Sequence, residues 1–189
     1  MGRVSLGLAG LALVVACGGG GGGGGAIHVN TDYDPLASPK MSAYKSWSWL
    51  RPPAGTAGRP DSSVQGIVEQ AIEARLISLG YHLTDTNPEF RVGWHAALDG
   101  PLDVTATNSY YGYAWGKWFP GGGVAYSRGF HSDYESGSLV VDVADNKASE
   151  LIWRGIGRDV FTGKAPSGTR IADAVAKMFQ QFPPSTKGK

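Results

Sequence analysis

Four histidines, a scatter of carboxylates and a single cysteine are the residues of this 189-residue chain from which chemistry could be built. His28, His82, His95 and His131 stand far apart, and none has a second His or Cys at metal-ligand spacing. The sequence therefore calls for no metal and no cofactor. Gly155-Ile156-Gly157 lacks the third glycine and the following helix of a dinucleotide-binding loop. Gly137-Ser138 is followed by Leu139 and Val140 rather than by the glycine of a nucleophile elbow. His28, Asp32 and His95 fall on the non-core faces of expected strands, and would form a polar site if those strands were neighbours. Exposed polar positions are the simpler reading. Asp142 and Arg154 are spaced to face each other across a hairpin, as an ion pair contributing well under ~1 kcal/mol. Asp32, Asp34 and Asp142 offer carboxylates for hydrolysis of a polymer, a choice most sequences would offer, and no catalytic residue is assigned.

A second cluster is aromatic. Residues 99–134 hold Tyr110, Tyr111, Tyr113, Trp115, Trp118, Phe119, Tyr126, Phe130 and Tyr134, interleaved with Gly112, Gly116, Gly121, Gly122, Gly123 and Gly129. Each ring offers a broad apolar face, and Tyr and Trp add a polar tip, so the set could stack on sugars or clamp a peptide. The same rings could dip into a bilayer interface. An extended hairpin whose aromatics cover the open face of the sheet is the plainer account, supported by alternation in Phe130, Ser132 and Tyr134 leading toward Leu139. Lys117 and Arg128 are the sole Lys or Arg in the segment, which leaves phosphates unneutralised and excludes nucleic-acid stacking. The candidate contact residues are Tyr110, Tyr111, Tyr113, Trp115, Trp118, Phe119 and Tyr126.

The third chemistry is acylation. Arg3 precedes an apolar or glycine run over residues 6–16, and Val14-Val15-Ala16 leads directly into Cys17. Eleven residues cannot cross the roughly 30 Å hydrocarbon core, but they suit the apolar region of a secretory signal. The pattern resembles the lipobox of bacterial lipoproteins, in which the signal is cut before the cysteine and lipid is added to its sulfur and new amino group. The resemblance implies residues 1–16 as signal peptide and Cys17 as the anchor. An ordinary cleaved signal is the alternative, since Ala12 and Ala16 supply small residues. Several acyl chains would hold the protein stably, at about 0.8 kcal/mol per buried CH₂. In diderm lipoproteins an Asp after the cysteine favours the inner membrane; Gly18 stands here, which leans toward the outer membrane.

These residues must be positioned by a fold. Gly18 to Gly25 form an unbroken glycine tract, a flexible tether or a neutral repeat, and residues 17–26 lie outside the domain. Alternation predicts strands over residues 27–33, 44–50, 89–98, 137–143 and 150–157, with Trp47 and Trp49 sharing a face, as do Leu151 and Trp153. Val64, Ile67, Val68, Ala71, Ile72, Leu76 and Leu79 mark one amphipathic helix, with Asp61 or Ser62 as its cap, Gln65 completing a capping-box pattern, and Gly80 behind it. Ile171, Val175, Met178, Phe179 and Phe182 mark another, begun by Ser167 or Thr169 and carrying an Asp173–Lys177 pair. The expectation is an α+β domain over residues 27–184: a single, mostly antiparallel sheet of about five strands, with two amphipathic helices packed on one face. Residues 185–189 trail off.

Seventeen basic and sixteen acidic side chains nearly cancel, and loss of Arg3 with the signal makes the balance even. That argues against a nucleic-acid partner and gives no attraction to anionic lipid. With Cys17 as the one cysteine there is no intrachain disulfide.

The ordered set VNTDYD (29–34), YKSWSWL (44–50), FRVGWH (90–95), GSLVVDV (137–143), LIWRG (151–155) and the closing helix over residues 171–184 resembles the bacterial envelope lipoproteins of the domain-of-unknown-function family number 4136. The resemblance implies an α+β lipoprotein domain facing the periplasm and no established activity. The expected function is a non-catalytic binding or scaffolding module, with a glycan, a peptide or an envelope protein as partner. A hydrolase of an envelope polymer and a purely structural lipoprotein are the alternatives.

Overall fold

Side chains that alternate between two faces shape the sheet, and four-residue spacing shapes the helices. The structure, a computed structural model, describes residues 25–34, 37–51, 62–98, 137–148, 150–161 and 167–184. The signal 1–16, Cys17, most of the glycine tract, the contact residues Tyr110, Tyr111, Tyr113, Trp115, Trp118, Phe119 and Tyr126, and the tail 185–189 lie outside the described residues, as does the Asp61 cap.

The described elements run β1 (His28–Tyr33), α1 (Ser38–Ala43), β2 (Ser46–Trp49), α2 (Ser62–Ser78), β3 (His82–Leu83), β4 (Phe90–Ala97), β5 (Ser138–Asp145), β6 (Glu150–Arg158) and α3 (Gly168–Met178), which tightens into a 3₁₀ turn at Phe179–Gln181. They build an α+β domain around one sheet in the order β1-β6-β5-β4-β2-β3. Two features depart from the expectation. Six strands and three helices stand where about five and two were expected, and the sheet is mixed. The β1–β6, β5–β6 and β4–β5 pairs are antiparallel, whereas β2 runs parallel to both β3 and β4. The cause is α2: a helix carrying the chain back across the sheet lets the next strands point the same way as β2. Pro39 in the first turn starts the short α1, a position where its missing N–H costs nothing.

Val64, Val68, Ile72 and Leu76 of α2 and Ile171, Ala174, Val175 and Met178 of α3 are buried in one cluster with Trp47, Phe90, Val92, Trp94, Val141, Val143 and Trp153 of the sheet. At its centre Phe182 meets Phe90, Trp153 and Phe179 edge-on, with ring centroids 5.3–6.1 Å apart. Gly80 takes φ +88° behind α2, the left-handed turn a glycine makes without strain. Ser167 caps α3, its Oγ accepting from the Arg170 N–H at 3.4 Å, and Lys177 reaches Asp173 at 2.9 Å. Trp47 and Trp49 do share a face, with centroids 4.9 Å apart. Leu151 and Trp153 do not. The β5–β6 register slips between Val143 and Ala144, so Trp153 pairs with Val143 while Leu151 pairs with Ala144 on the other side. A bulge of this kind breaks alternation by one residue. Among the described residues no helix is long and apolar enough to cross a membrane.

Candidate functional site

On the sheet face away from that cluster, four strands contribute one polar row. In register, Asp32 of β1 lies opposite Arg154 of β6, and Arg154 opposite Asp142 of β5. His95 of β4 stands diagonally beyond, its Nε2 3.4 Å from Asp142 Oδ2. Arg154 grips Asp142 with two prongs: Nε donates to Oδ1 at 2.6 Å and Nη2 to Oδ2 at 2.8 Å. Asp142 and Arg154 are each 1 % exposed and His95 2 %. The sheet thus brings together three residues singled out in the sequence, His95, Asp142 and Arg154, and sets Asp32 in register beside them. It corrects their environment: they are buried, and the pair is no exposed cross-strand contact. His28 sits at the outer end of β1, opposite Arg158.

Burial alone would raise the Asp142 carboxyl, but the Arg154 guanidinium with its two hydrogen bonds, and the His95 ring 3.4 Å away, outweigh it and hold it down at about 2. Burial pushes His95 below the usual imidazole range; Asp142 opposes that shift and Arg154 adds to it. The centre is therefore a carboxylate committed to a guanidinium, beside a neutral imidazole. Both Asp142 oxygens being engaged, the geometry is that of a clamp between strands rather than of a general acid and base. Among the described residues no group of three His, Cys, Asp or Glu is placed to hold a metal.

The row crosses the middle of β4 and β5, and the aromatic segment joins one end of these strands. β4 and β5 pair without interruption from Phe90↔Asp145 to Ala97↔Ser138, and the Gly137 N–H donates to the Ala97 carbonyl at 2.6 Å. The chain between them leaves and returns at this one end of the sheet.

At the opposite end of the same strands is a cleft of about 590 Å³, lined by Lys40, Tyr44, Glu89, Asp145 and Lys147 among others. Tyr44 Oη donates to Asp145 Oδ2, whose other oxygen accepts the Ala148 N–H at 2.6 Å. Glu89 Oε2 accepts the Lys45 and Ser46 N–H groups at 2.7 and 2.9 Å, and the first of these holds its carboxyl below the usual range despite some burial. Burial and the Asp145 carboxylate push the Tyr44 phenol well up, so it stays protonated and acts as a donor. Sequence reasoning missed this cleft because it depends on β2 and β4 starting side by side in parallel, and alternation carries no strand direction.

No curated relative matches the chain. Among solved structures it is similar to a PDZ domain protein from Parabacteroides distasonis, at 12 % identity and a TM-score of 0.49, over 86 % of this chain and 37 % of that one. It spans little more than a third of that protein. It is also similar to PelC from Paraburkholderia phytofirmans, solved as a dodecamer, at 8 % identity and a TM-score of 0.46, over 86 % of this chain and all of that one. The profile of one family, Domain of unknown function (DUF4136), matches residues 29–184, which takes in every strand but the first residue of β1 and all three helices. The chain belongs to that family.

Proposed function

We propose that the protein is a lipid-anchored envelope protein, held through Cys17 at the outer membrane and facing the periplasm. In this reading it is a non-catalytic binding or scaffolding module that presents Tyr110, Tyr111, Tyr113, Trp115, Trp118, Phe119 and Tyr126 to a glycan, a peptide or an envelope protein. One observation carries the reading: the aromatic segment is rooted in β4 and β5, two strands paired over their whole length, of which β5 is pinned to β6 by the Arg154–Asp142 clamp. A contact surface gains affinity when its supports are rigid before the partner arrives. Hydrolysis of an envelope polymer draws on the shared face of Asp32, His95 and Asp142, but it would have to free a carboxylate that Arg154 already occupies.

Alanine at both Trp115 and Trp118 abolishes retention on peptidoglycan, or on a co-purifying envelope protein, and leaves the melting temperature unchanged. An equal loss of stability would place those rings in the core and end the reading. Mass spectrometry of the processed N-terminus reports the acyl chains on Cys17.

A further inference from the structure

The two edges of the sheet are built differently. On one side β3 is two residues long, one way to blunt an edge. On the other, β1 is a regular six-residue strand with no proline, no lysine and no bulge, and among the described residues it pairs with β6 alone. Its hydrogen-bonding direction follows from one contact. The Asp34 N–H donates to the Ile152 carbonyl at 3.0 Å, in the same register as Asp32↔Arg154 and Asn30↔Ile156. In an antiparallel ladder such pairs alternate, so 28, 30, 32 and 34 turn their peptide groups toward β6. Val29, Thr31 and Tyr33 turn theirs outward.

The side chains of that edge match one another. Val29 and Thr31 line a groove of about 270 Å³ shared with Lys177, Met178 and Gln181 at the end of α3. Four residues from Val29, on the same face, Tyr33 is a large ring left 42 % exposed. We infer that β1 is an interface for a second copy of this chain, the two β1 strands pairing antiparallel about a two-fold axis through Thr31. In that register every outward N–H and C=O of the strand finds a partner, with Thr31 opposite Thr31 and Val29 opposite Tyr33. Each Tyr33 ring is delivered to the groove beside the other copy's Val29. On the opposite face Asn30 falls across from Asp32 and His28 from Asp34, with the Asn30 amide already held by Arg158 and the Val29 carbonyl of its own chain. Aromatic–β-branched and Thr–Thr pairs are among those that stabilise cross-strand contacts. A patch whose own residues complement one another under a two-fold rotation is what an isologous dimer requires. Moving the axis to Asn30 takes Tyr33 away from Val29. The inference does not depend on the aromatic segment or on its ligand.

The test uses the full chain in detergent, with Cys17 replaced by Ser so that single cysteines can be placed. Directly opposed residues in such a ladder have Cα atoms about 5.5 Å apart, within disulfide reach. Thr31→Cys is expected to give a covalent dimer under mild oxidation. Asn30→Cys, diagonal across the axis, is expected to stay uncross-linked. Sedimentation should report twice the 19.9 kDa chain mass, and Thr31→Lys, which opposes two ammonium groups on the axis, should return it to one at an unchanged melting temperature. A wild-type chain that sediments as a monomer, or cross-linking at Asn30 in preference to Thr31, overturns the proposal.

Discussion

The two faces of the sheet solve opposite problems with adjacent residues. Toward the helices, burial is apolar: Trp153, Phe179, Phe182 and Met178 pack where Gly155 leaves room. Such a face is driven by area removed from water and tolerates exchange of one hydrophobe for another. One residue away, Arg154 projects to the other face and is just as buried, but against Asp142. That face has directional requirements. A buried ion pair adds little net stability over a well-packed apolar one, yet it penalises any register that separates the charges. The helical side supplies most of the driving force, and the ionic side tells β4, β5 and β6 which residues to match.

The sharpest way to break this symmetry is Arg154→Met, which leaves the Asp142 carboxylate buried without its guanidinium. Removing one partner of such a pair costs about 3–5 kcal/mol, a large part of the roughly 5–15 kcal/mol a domain holds in reserve. Chemical denaturation should show that loss. The double change Arg154→Met with Asp142→Leu should recover most of it, because the desolvated charge is gone. If the single and double variants lose equally, the ionic face owes its stability to shape rather than to charge.

Gly155→Ala tests the neighbouring position on the helical face. A Cβ there would stand 2.5 Å from Trp153 Cη2 and 3.1 Å from Met178 Cβ. The indole and α3 must both shift, an overpacking cost of about 1–3 kcal/mol. At this chain length that lowers Tm by roughly 2–4 °C per kcal/mol. Pairing Gly155→Ala with Met178→Ala removes the Met178 Sδ, which also stands 3.1 Å from the new Cβ, and should show sub-additive loss, whereas pairing it with Arg154→Met should add.

What the sequence revealed follows the same division. α2 and α3 were legible because Val64-Val68-Ile72-Leu76 and Ile171-Val175-Met178 repeat at helical spacing, and β1, β2 and β4 because their alternation is unbroken. The β5–β6 hairpin was legible except at its slip, since no residue type marks a bulge between Val143 and Ala144. The parallel run of β2 beside β4 was not legible, nor was α1, which is too short for a stripe. The polar row was named residue by residue but misread as exposed. Asp142 and Arg154 alternate with buried valine and tryptophan exactly as solvent-facing residues would, and only the tertiary structure tells a charged face turned to water from one turned to its own partner.

Acid separates the faces without any mutation, because only one of them titrates. His95 has its folded pKa pushed below the ordinary imidazole value by burial. Below about pH 6.5 the unfolded chain takes up a proton there that the folded chain refuses. Unfolding then binds more protons than the native state, so stability falls as pH falls, by at most about 1.4 kcal/mol per pH unit for one group. Asp142 acts lower: its folded value of about 2 lies beneath the unfolded value near 3.9, so its contribution is complete above that range and is lost as pH drops through it toward 2. Denaturation midpoints of the wild type should therefore decline between pH 7 and 5, then again below pH 4. His95→Leu should flatten the first decline and leave the second, whereas Gly155→Ala should lower the whole curve without changing its shape. A first decline that survives His95→Leu would mean that another histidine titrates on unfolding and that the ionic face is indifferent to protons above pH 5.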